Sequence, residues 1–224
     1  PIAWRVIGYN GSGAASASGA ATLLSAGTMV QTFFDESGNS SNAYANSTLR
    51  KKIEEGYENG GAHVDGILDS LSDAEQGAIK RRTLVHGSYN NEEPKNIDCI
   101  AGDADLEDVA LWPLSTKEAN AVNKSLRIVD PDHPSWKISY WWLRSPGNKD
   151  NRAAYVCGDG DIDWEGVDVS NTDYCARPAF YLNLESVLFT SAAVGGKSSG
   201  NAGAEALEAQ TDLVVQLQNR TVTR

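Results

Sequence analysis

Cysteine, histidine and methionine are all scarce in this sequence. Its 224 residues include 3 Cys, 3 His and 1 Met. The cysteines are Cys99, Cys157 and Cys175, an odd number without metal-ligand spacing, which argues against a disulfide scaffold and against a cysteine-based zinc site. A disulfide between Cys157 and Cys175 is retained as an alternative, on the condition that the strands carrying the two residues face each other.

Long hydrophobic runs and basic residues are also in short supply. No apolar run approaches the roughly 20 residues that cross a bilayer, so we expect no membrane span in this chain. With 30 acidic against 19 basic residues the net charge is -11. Such a polyanion is repelled by phosphates, which argues against nucleic acid as a partner. The basic clusters at 50–52 and 80–82 are interpreted as solvated helix ends.

The usual signatures of catalysis are missing. His63, His86 and His133 are scattered and form no His-x-x-x-His pair. No Gly-x-Ser-x-Gly motif marks a nucleophile, and the glycine pair at 11–13 lacks the lysine of a phosphate loop. A Ser–His–acid triad stays open, because triads assemble in space rather than in sequence. We expect a protein that is not an enzyme and that uses no cofactor.

The first two thirds of the chain predict a mixture of strands and short helices. Ser47 is a candidate helix cap, and Ser72 and Ser115 each open a capping box with Glu three residues later. The long segment 83–104 is predicted to be a loop. Alternation and capping together predict strands over 2–9, 20–30 and 108–114 and helices over 49–56, 72–82 and 115–126. The predicted class is α+β.

The last third predicts an antiparallel meander. Short alternating strands at 153–156, 161–164 and 167–170 are separated by glycine turns, and 177–184 is expected to close the series. Residues 191–204 are rich in Ala, Gly and Ser, which is typical of a linker. We therefore expect one domain over 1–189, followed at 190–224 by the linker and a C-terminal strand or the start of a further domain.

Aromatic and arginine residues divide between core and surface roles. Four of the tryptophans are expected in the core and two aromatics on the meander surface, because exposed aromatic rings supply much binding area. Arg144 and Arg177 are expected to brace the fold through buried hydrogen bonds. The predicted core tryptophans are Trp4, Trp112, Trp141 and Trp142, and the predicted surface aromatics are Tyr155 and Trp164.

Several blocks of this sequence are distinctive: 141–147, 153–156 and 177–184, supported by 1–6, 47–50 and 111–115. They resemble the DUF6273 family of exported bacterial domains, over about residues 1–189. The resemblance implies a C-type-lectin-like fold, related to formylglycine-generating enzymes and to the variable proteins of diversity-generating retroelements. It also implies an extracellular or cell-surface location. The sequence opens on Pro1 and is interpreted as a fragment or mature form, so the lack of a signal peptide does not argue against secretion.

Residues 148–175 are the expected display segment. In retroelement variable proteins, randomisation at template adenines leaves Asn, Asp, Tyr, Ser and Cys, and this segment is rich in them. Two interpretations stay open: a diversified surface, or a fixed ligand site on the same surface that binds a protein or a glycan. The candidate ligand-binding residues are Asn148, Asp150, Asn151, Tyr155, Cys157, Asp159, Asp161, Asp163, Trp164, Asp168, Ser170, Asn171, Asp173 and Tyr174.

Three alternatives accompany this hypothesis. The acidic run 159–165 superficially resembles a calcium loop, but Trp164 and Ser170 stand where an EF-hand needs Gly and Glu. A formylglycine-generating oxidase would need a close cysteine pair, whereas Cys157 and Cys175 are separated in sequence. A structural module of a larger surface protein is the third alternative. Recognition without a covalent step remains our expectation.

Overall fold

The computed structural model describes residues 2–36, 41–59, 61–129, 139–185 and 214–216. Helices are few and short, and most strands pair antiparallel. The predicted α+β class is therefore confirmed as a mixture of short helices and antiparallel sheets. Within the described residues, no helix is both long and apolar enough to cross a membrane.

Sixteen strands are present in these residues. They are β1 (Ala3–Tyr9), β2 (Ser12–Gly13), β3 (Ala20–Ser25), β4 (Val30–Gln31), β5 (Tyr57–Asn59), β6 (Ala62–Val64), β7 (Ile79–Lys80), β8 (Arg82–Leu84), β9 (Leu106–Val109), β10 (Trp112–Pro113), β11 (Trp141–Pro146), β12 (Arg152–Val156), β13 (Ile162–Asp168), β14 (Cys175–Ala176), β15 (Pro178–Asn183) and β16 (Val214–Gln216).

The α-helices are all shorter than two turns. They are α1 (Thr48–Arg50), α2 (Asp73–Gly77), α3 (Thr116–Ala121) and α4 (Lys124–Arg127). A π-helical segment, Lys51–Glu55, continues α1, and 3-10 turns lie at Tyr44–Asn46, Leu68–Ser70 and Pro94–Asn96.

Two larger sheets organise the chain. The first has the order β10-β15-β3-β1-β16, with β2 beside β1 and β7 beside β15. The second has the order β13-β12-β11-β14-β4, and two hairpins, β5-β6 and β8-β9, stand apart. The second sheet contains the antiparallel series β11-β12-β13, and only β12 and β13 of it belong to the meander predicted at 153–156, 161–164 and 167–170.

The four tryptophans predicted for the core are buried. Trp4 is 1% exposed, and Trp112, Trp141 and Trp142 are 0% exposed. Trp4 meets Phe180 edge to face at 4.8 Å between ring centres, which joins β1 to β15. Such aromatic contacts add to the stabilisation that comes from removing the rings from water.

The strand at 177–184 does not close the meander as predicted. β14 pairs with β11 and β4 in the second sheet, whereas β15 pairs with β3, β10 and β7 in the first. Arg177 lies between β14 and β15, where the chain changes sheets. It is fully buried and donates to the carbonyl oxygens of Ser25 (3.0 Å), Arg127 (2.8 Å) and Leu126 (2.9 Å). The predicted bracing role of Arg177 is confirmed.

Both capping boxes are present, but the helices that they open are shorter than predicted. α2 ends at Gly77 instead of continuing to Arg82, because Ile79 and Lys80 pair with β15 and Arg82 with β9. The basic cluster 80–82 therefore lies at the junction of β7 and β8, with Arg81 between the two strands, and not at a helix end. α3 ends at Ala121, and Asn123 caps the separate helix α4. In each case pairing or packing elsewhere outweighs local helix propensity.

Three other predicted elements are interrupted. The strand expected over 20–30 ends at Ser25, and the strand expected over 108–114 is divided into β9 and β10. Between β9 and β10 the backbone N–H groups of Ala110 and Leu111 donate to the Glu54 carboxylate at 2.6 and 3.1 Å. These two N–H groups therefore make no strand-to-strand hydrogen bond, and the strand is interrupted there. The loop expected over 83–104 contains most of β8 and a 3-10 turn.

The prediction of two strands at 161–164 and 167–170 is also wrong. A single strand, β13, covers both, and the expected turn at Glu165-Gly166 is a bulge inside it. Ala153 pairs with Val167 and Tyr155 with Asp163, so one residue of β12 faces three residues of β13. Gly166 adopts φ 79°, a left-handed conformation that glycine tolerates best.

The chain beyond the predicted domain is described only at β16. β16 pairs antiparallel with Ala3–Arg5 of β1. The linker predicted over 191–204 lies outside the described residues, as do His133 and Trp136.

Candidate functional site

Three tyrosines meet on one face of the second sheet. Tyr155 lies opposite Trp142 in the β11–β12 ladder, and Tyr140 precedes Trp142 by two residues, which places all three on the same face. Tyr174 comes from the other side of β11, immediately before β14. We refer to Tyr140, Tyr155 and Tyr174 as the tyrosine cluster.

The rings of the tyrosine cluster contact one another at open angles. Tyr155 and Tyr174 are 4.8 Å apart at 74°, Tyr140 and Tyr174 are 5.7 Å apart at 59°, and Tyr140 and Tyr155 are 6.3 Å apart at 62°. The buried Trp142 ring lies 4.4 Å from Tyr174 and supports the cluster from the core. Tyr140 is 43% exposed, so the cluster reaches solvent.

Asp163 borders the tyrosine cluster. It lies directly opposite Tyr155 in the β12–β13 ladder. The Tyr155 hydroxyl donates to Asp163 Oδ2 at 3.1 Å, and the Gly166 backbone N–H donates to Oδ1 at 2.9 Å. The bulge therefore orients this carboxylate, since Gly166 is the residue whose left-handed conformation forms it.

Burial keeps the phenols of Tyr155 and Tyr174 protonated. Burial is the main cause that raises the pKa of Tyr155, and Tyr174 and the Asp163 carboxylate raise it further. Burial also raises the pKa of Tyr174. Tyr155 and Tyr174 therefore contribute neutral aromatic rings beside Asp163.

Comparison with known proteins identifies the domain. The model of the DUF6273 family, a domain of unknown function, matches residues 19–184, which is more than half of the 224-residue chain. The chain belongs to the DUF6273 family. No match was found among curated proteins or among solved structures.

Two acidic residues of the DUF6273 domain's predicted site are ion-paired away from the cluster. Lys124 Nζ lies 2.5 Å from Asp161 Oδ1 and 3.8 Å from Asp159 Oδ2. Asp163 of the same acidic run turns instead to Tyr155. The carboxylates of the predicted calcium run thus have separate partners, so this geometry does not gather them around one ion.

Trp164 is half-buried beside a lysine. Lys95 Nζ lies 5.1 Å from the centre of its indole ring, which is a cation–π contact. Neither Lys95 nor Lys124 was among the predicted site residues, because both come from segments distant in sequence from 148–175.

The remaining predicted residues lie in turns or, for Asp168, at the end of β13. Asp173 directly precedes Tyr174 in the chain. Asn151 Nδ2 donates to Asp168 Oδ2 at 3.0 Å, and Ser170 Oγ donates to Asp168 Oδ1 at 2.6 Å. Tyr155 lies four residues after Asn151, or roughly 13 Å along the strand. Asn148, Asp150 and Asp173 are exposed and Asn171 is partly exposed. These residues frame the face but do not join the cluster.

Cys157 and Cys175 are free thiols, and the bridge between them is not formed. Trp141 of β11 pairs with Cys175 on one side and with Val156 on the other. Two strand spacings of about 4.8 Å separate the cysteine-bearing strands, more than the Cα separation of about 7 Å that a disulfide allows. Burial raises the pKa of Cys157, and it raises the pKa of Cys175 to about 11. The two thiols therefore do not form the close pair that the oxidase alternative needs.

One group of potential metal ligands occurs in the described part of the chain. Ligand atoms of His63, Asp65 and Asp69 lie within 4.8 Å of one another, and all three residues are exposed. Asp69 Oδ2 accepts a hydrogen bond from the Gly66 backbone N–H at 3.0 Å. This group belongs to the β5–β6 hairpin and the turn after it.

Sequence reasoning missed Tyr140 as a site residue. The signal was available, because Tyr140 and Trp142 alternate within an aromatic run, and alternation places residues i and i+2 on one face of a strand. Tyr174, by contrast, reaches the cluster only because β14 pairs parallel with β11.

Proposed function

We propose that this DUF6273 domain is an extracellular ligand-binding protein that captures a protein or a glycan on the face that carries residues 148–175. The observation that carries the proposal is the tyrosine cluster with Asp163 at its border. Partly exposed tyrosines offer large, stiff contact area with little loss of side-chain entropy, which is why binding surfaces are rich in them.

The scaffold beneath this face is suited to display. Ala153, Ala154, Val156 and Val169 are 0% exposed. The polar residues between them lie in turns or on the outer face, so their replacement leaves the buried layer in place. This separation supports a C-type-lectin-like display fold similar to retroelement variable proteins, and it supports diversification of the outer residues.

Arg144 anchors β11, a strand of the sheet that carries this face. It is 1% exposed and donates to Asp98 Oδ1 at 2.8 Å, to the Pro113 carbonyl oxygen at 3.0 Å and to both carboxylate oxygens of Glu118. Bracing of the fold by Arg144 was predicted from its sequence context. A face held by buried hydrogen bonds loses little entropy when it binds a ligand.

The test is a screen of glycans and of cell-surface proteins with the wild-type domain and with Tyr140→Ser. We expect at least one ligand whose binding falls tenfold or more in the variant. Tyr9→Ser is the matched control, because Tyr9 is an exposed tyrosine (55%) of β1 in the other sheet. Equal binding by all three proteins would place the site elsewhere.

Diversification has its own test in the encoding DNA. We expect a near-identical repeat of the region for residues 148–175, mismatched only at adenines, beside a reverse transcriptase. Mismatches spread evenly over the four bases would contradict diversification while leaving a fixed ligand site in place.

A further inference from the structure

The Asp163 carboxylate is half-buried and lacks a counter-ion. Among the described residues, no lysine, arginine or histidine lies within 4.0 Å of it. Asp159 and Asp161 of the same acidic run instead share Lys124. A partly desolvated charge without an opposite charge is unfavourable, and a bound cation would relieve it.

The hydrogen bonds to Asp163 leave room for such a cation. Oδ1 accepts one bond from Gly166 and Oδ2 accepts one from Tyr155. Each carboxylate oxygen can accept a further hydrogen bond, because an ionised carboxylate has about four acceptor positions. The two existing bonds therefore orient the group without saturating it.

The rings around Asp163 favour an organic cation over a metal ion. Calcium takes six to eight oxygen ligands, whereas this site offers one carboxylate, the exposed ring of Tyr140 and the partly exposed ring of Tyr155, with the buried Tyr174 ring behind them. Ring faces carry negative electrostatic potential and attract ammonium and guanidinium groups within about 6 Å. The domain already makes one contact of this kind, because Lys95 Nζ lies 5.1 Å from the centre of the neighbouring Trp164 ring.

We propose that Asp163 and the tyrosine cluster together receive a lysine or arginine side chain of a protein ligand. The inference rests on the proposed binding function and adds the chemistry of the ligand. The ammonium or guanidinium donates to Asp163, and its aliphatic stem packs on Tyr140, the most exposed ring of the cluster. The net charge of -11 draws a basic partner toward the domain.

The probe is a short lysine-containing peptide, compared with the same peptide acetylated at every lysine. We expect the domain to bind the free-amine peptide at least tenfold more tightly than the acetylated one at 0.15 M salt. Exposed charges farther away than about 8 Å are largely screened under this condition.

Two variants separate the local site from the overall negative charge. Asp163→Asn is expected to weaken peptide binding five- to tenfold. Asp150→Asn removes the same charge from an exposed position in the turn before β12, and we expect less than a twofold effect. Tyr140→Ser, at an exposed position, is expected to weaken binding three- to tenfold, with Tyr9→Ser as its control. Equal losses for Asp163→Asn and Asp150→Asn, or equal binding of both peptides, would overturn the proposal.

Failure of this inference can be told apart from failure of the proposed function. If neither peptide binds, but the wild-type domain binds a glycan or an uncharged protein and Tyr140→Ser does not, the face is a binding site for another class of ligand. If no ligand of any class responds to Tyr140→Ser, both proposals are wrong. Unchanged melting temperatures of Asp163→Asn and Tyr140→Ser would show that the losses are not due to unfolding.

Discussion

Arg144 and Glu118 form an ion pair in the interior, where both carboxylate oxygens of Glu118 accept from the guanidinium. The side chains are 1% and 4% exposed. Arg82 adds a second cation, with Nη1 at 2.7 Å from Glu118 Oε1. Glu118 also completes the capping box of α3, so this network joins that helix to β11 and β8.

The ion pair predicts a loss of stability in acid. Burial opposes ionisation of Glu118, but the charge and hydrogen bonds of Arg144, with help from Arg82, outweigh it and lower its pKa to about 2. A carboxyl whose folded pKa is depressed stabilises the fold above its unfolded pKa, near 4.5, and this contribution is lost as pH falls toward about 2. We expect the free energy of unfolding to fall by about 3 kcal/mol over this window.

Glu118→Gln tests this prediction by chemical denaturation at several pH values. We expect the free energy of unfolding of Glu118→Gln to be lower than that of the wild type at pH 7 and nearly equal to it at pH 2. Glu107→Gln, at an exposed position of β9, is the control and should follow the wild type. A constant difference between Glu118→Gln and the wild type across this range would contradict the shifted pKa.

Glu54 is expected to show the opposite dependence on pH. Burial raises its pKa, and the N–H groups of Ala110 and Leu111 and the Arg50 guanidinium offset the rise only in part. A carboxyl with a raised folded pKa contributes stability below its unfolded pKa, and this is lost as pH rises through the folded value. The stability of Glu54→Gln relative to the wild type should therefore improve from pH 4 to pH 8.

Glu54→Ala isolates the hydrogen bonds from the charge. It leaves the N–H groups of Ala110 and Leu111 without their acceptor in the interior, and we expect a loss of about 2–4 kcal/mol at pH 7. Denaturant titration measures the loss. A cost no larger than that of Glu54→Gln would show that other groups satisfy the two N–H donors.

Arg177 is buried without an acidic partner, and only carbonyl oxygens accept its hydrogen bonds. Burial lowers its pKa to about 9, and the charge of Arg5 adds to the effect. Arg177→Lys keeps the charge but cannot reach three acceptors with one ammonium, so we expect it to cost about 2–3 kcal/mol. Arg81→Lys at an exposed position should be nearly neutral in the same thermal melts. Equal stability of the two variants would refute the bracing role.

Gly166 tests the bulge that orients Asp163. A Cβ at this position would lie 2.5 Å from the Ala153 carbonyl oxygen, and φ is +79°. Gly11 has φ +89° with no atom within 4 Å of an added Cβ, so Gly11→Ala measures backbone strain alone, about 1–2 kcal/mol. We expect Gly166→Ala to lose clearly more stability than Gly11→Ala. We also expect it to lower the affinity of the domain for any ligand that binds at the tyrosine cluster. Similar melting temperatures would show that β12 moves aside.

Short sequence patterns predicted correctly those features that depend on neighbouring residues alone. The Ser72 and Ser115 capping boxes, the Ser47 cap and the core tryptophans were all predicted, because caps and burial depend on residue type and short spacing. The helix ends after Gly77 and Ala121 were not, because strand pairing and packing with distant segments decide them. The same reason explains why β13 was predicted as two strands, since a bulge and a turn both use Gly166.

The candidate site divides in the same way. The family resemblance and the residue types between its blocks identified the segment 148–175 and, within it, Tyr155, Asp163 and Tyr174 as candidate ligand-binding residues. Tyr140 was missed, and the cluster forms only because β11 lies between β12 and β14, with antiparallel pairing on one side and parallel pairing on the other. Residue types and spacing fix what each strand can present, whereas which strands become neighbours depends on burial of the whole core, and no short stretch of the chain contains that information.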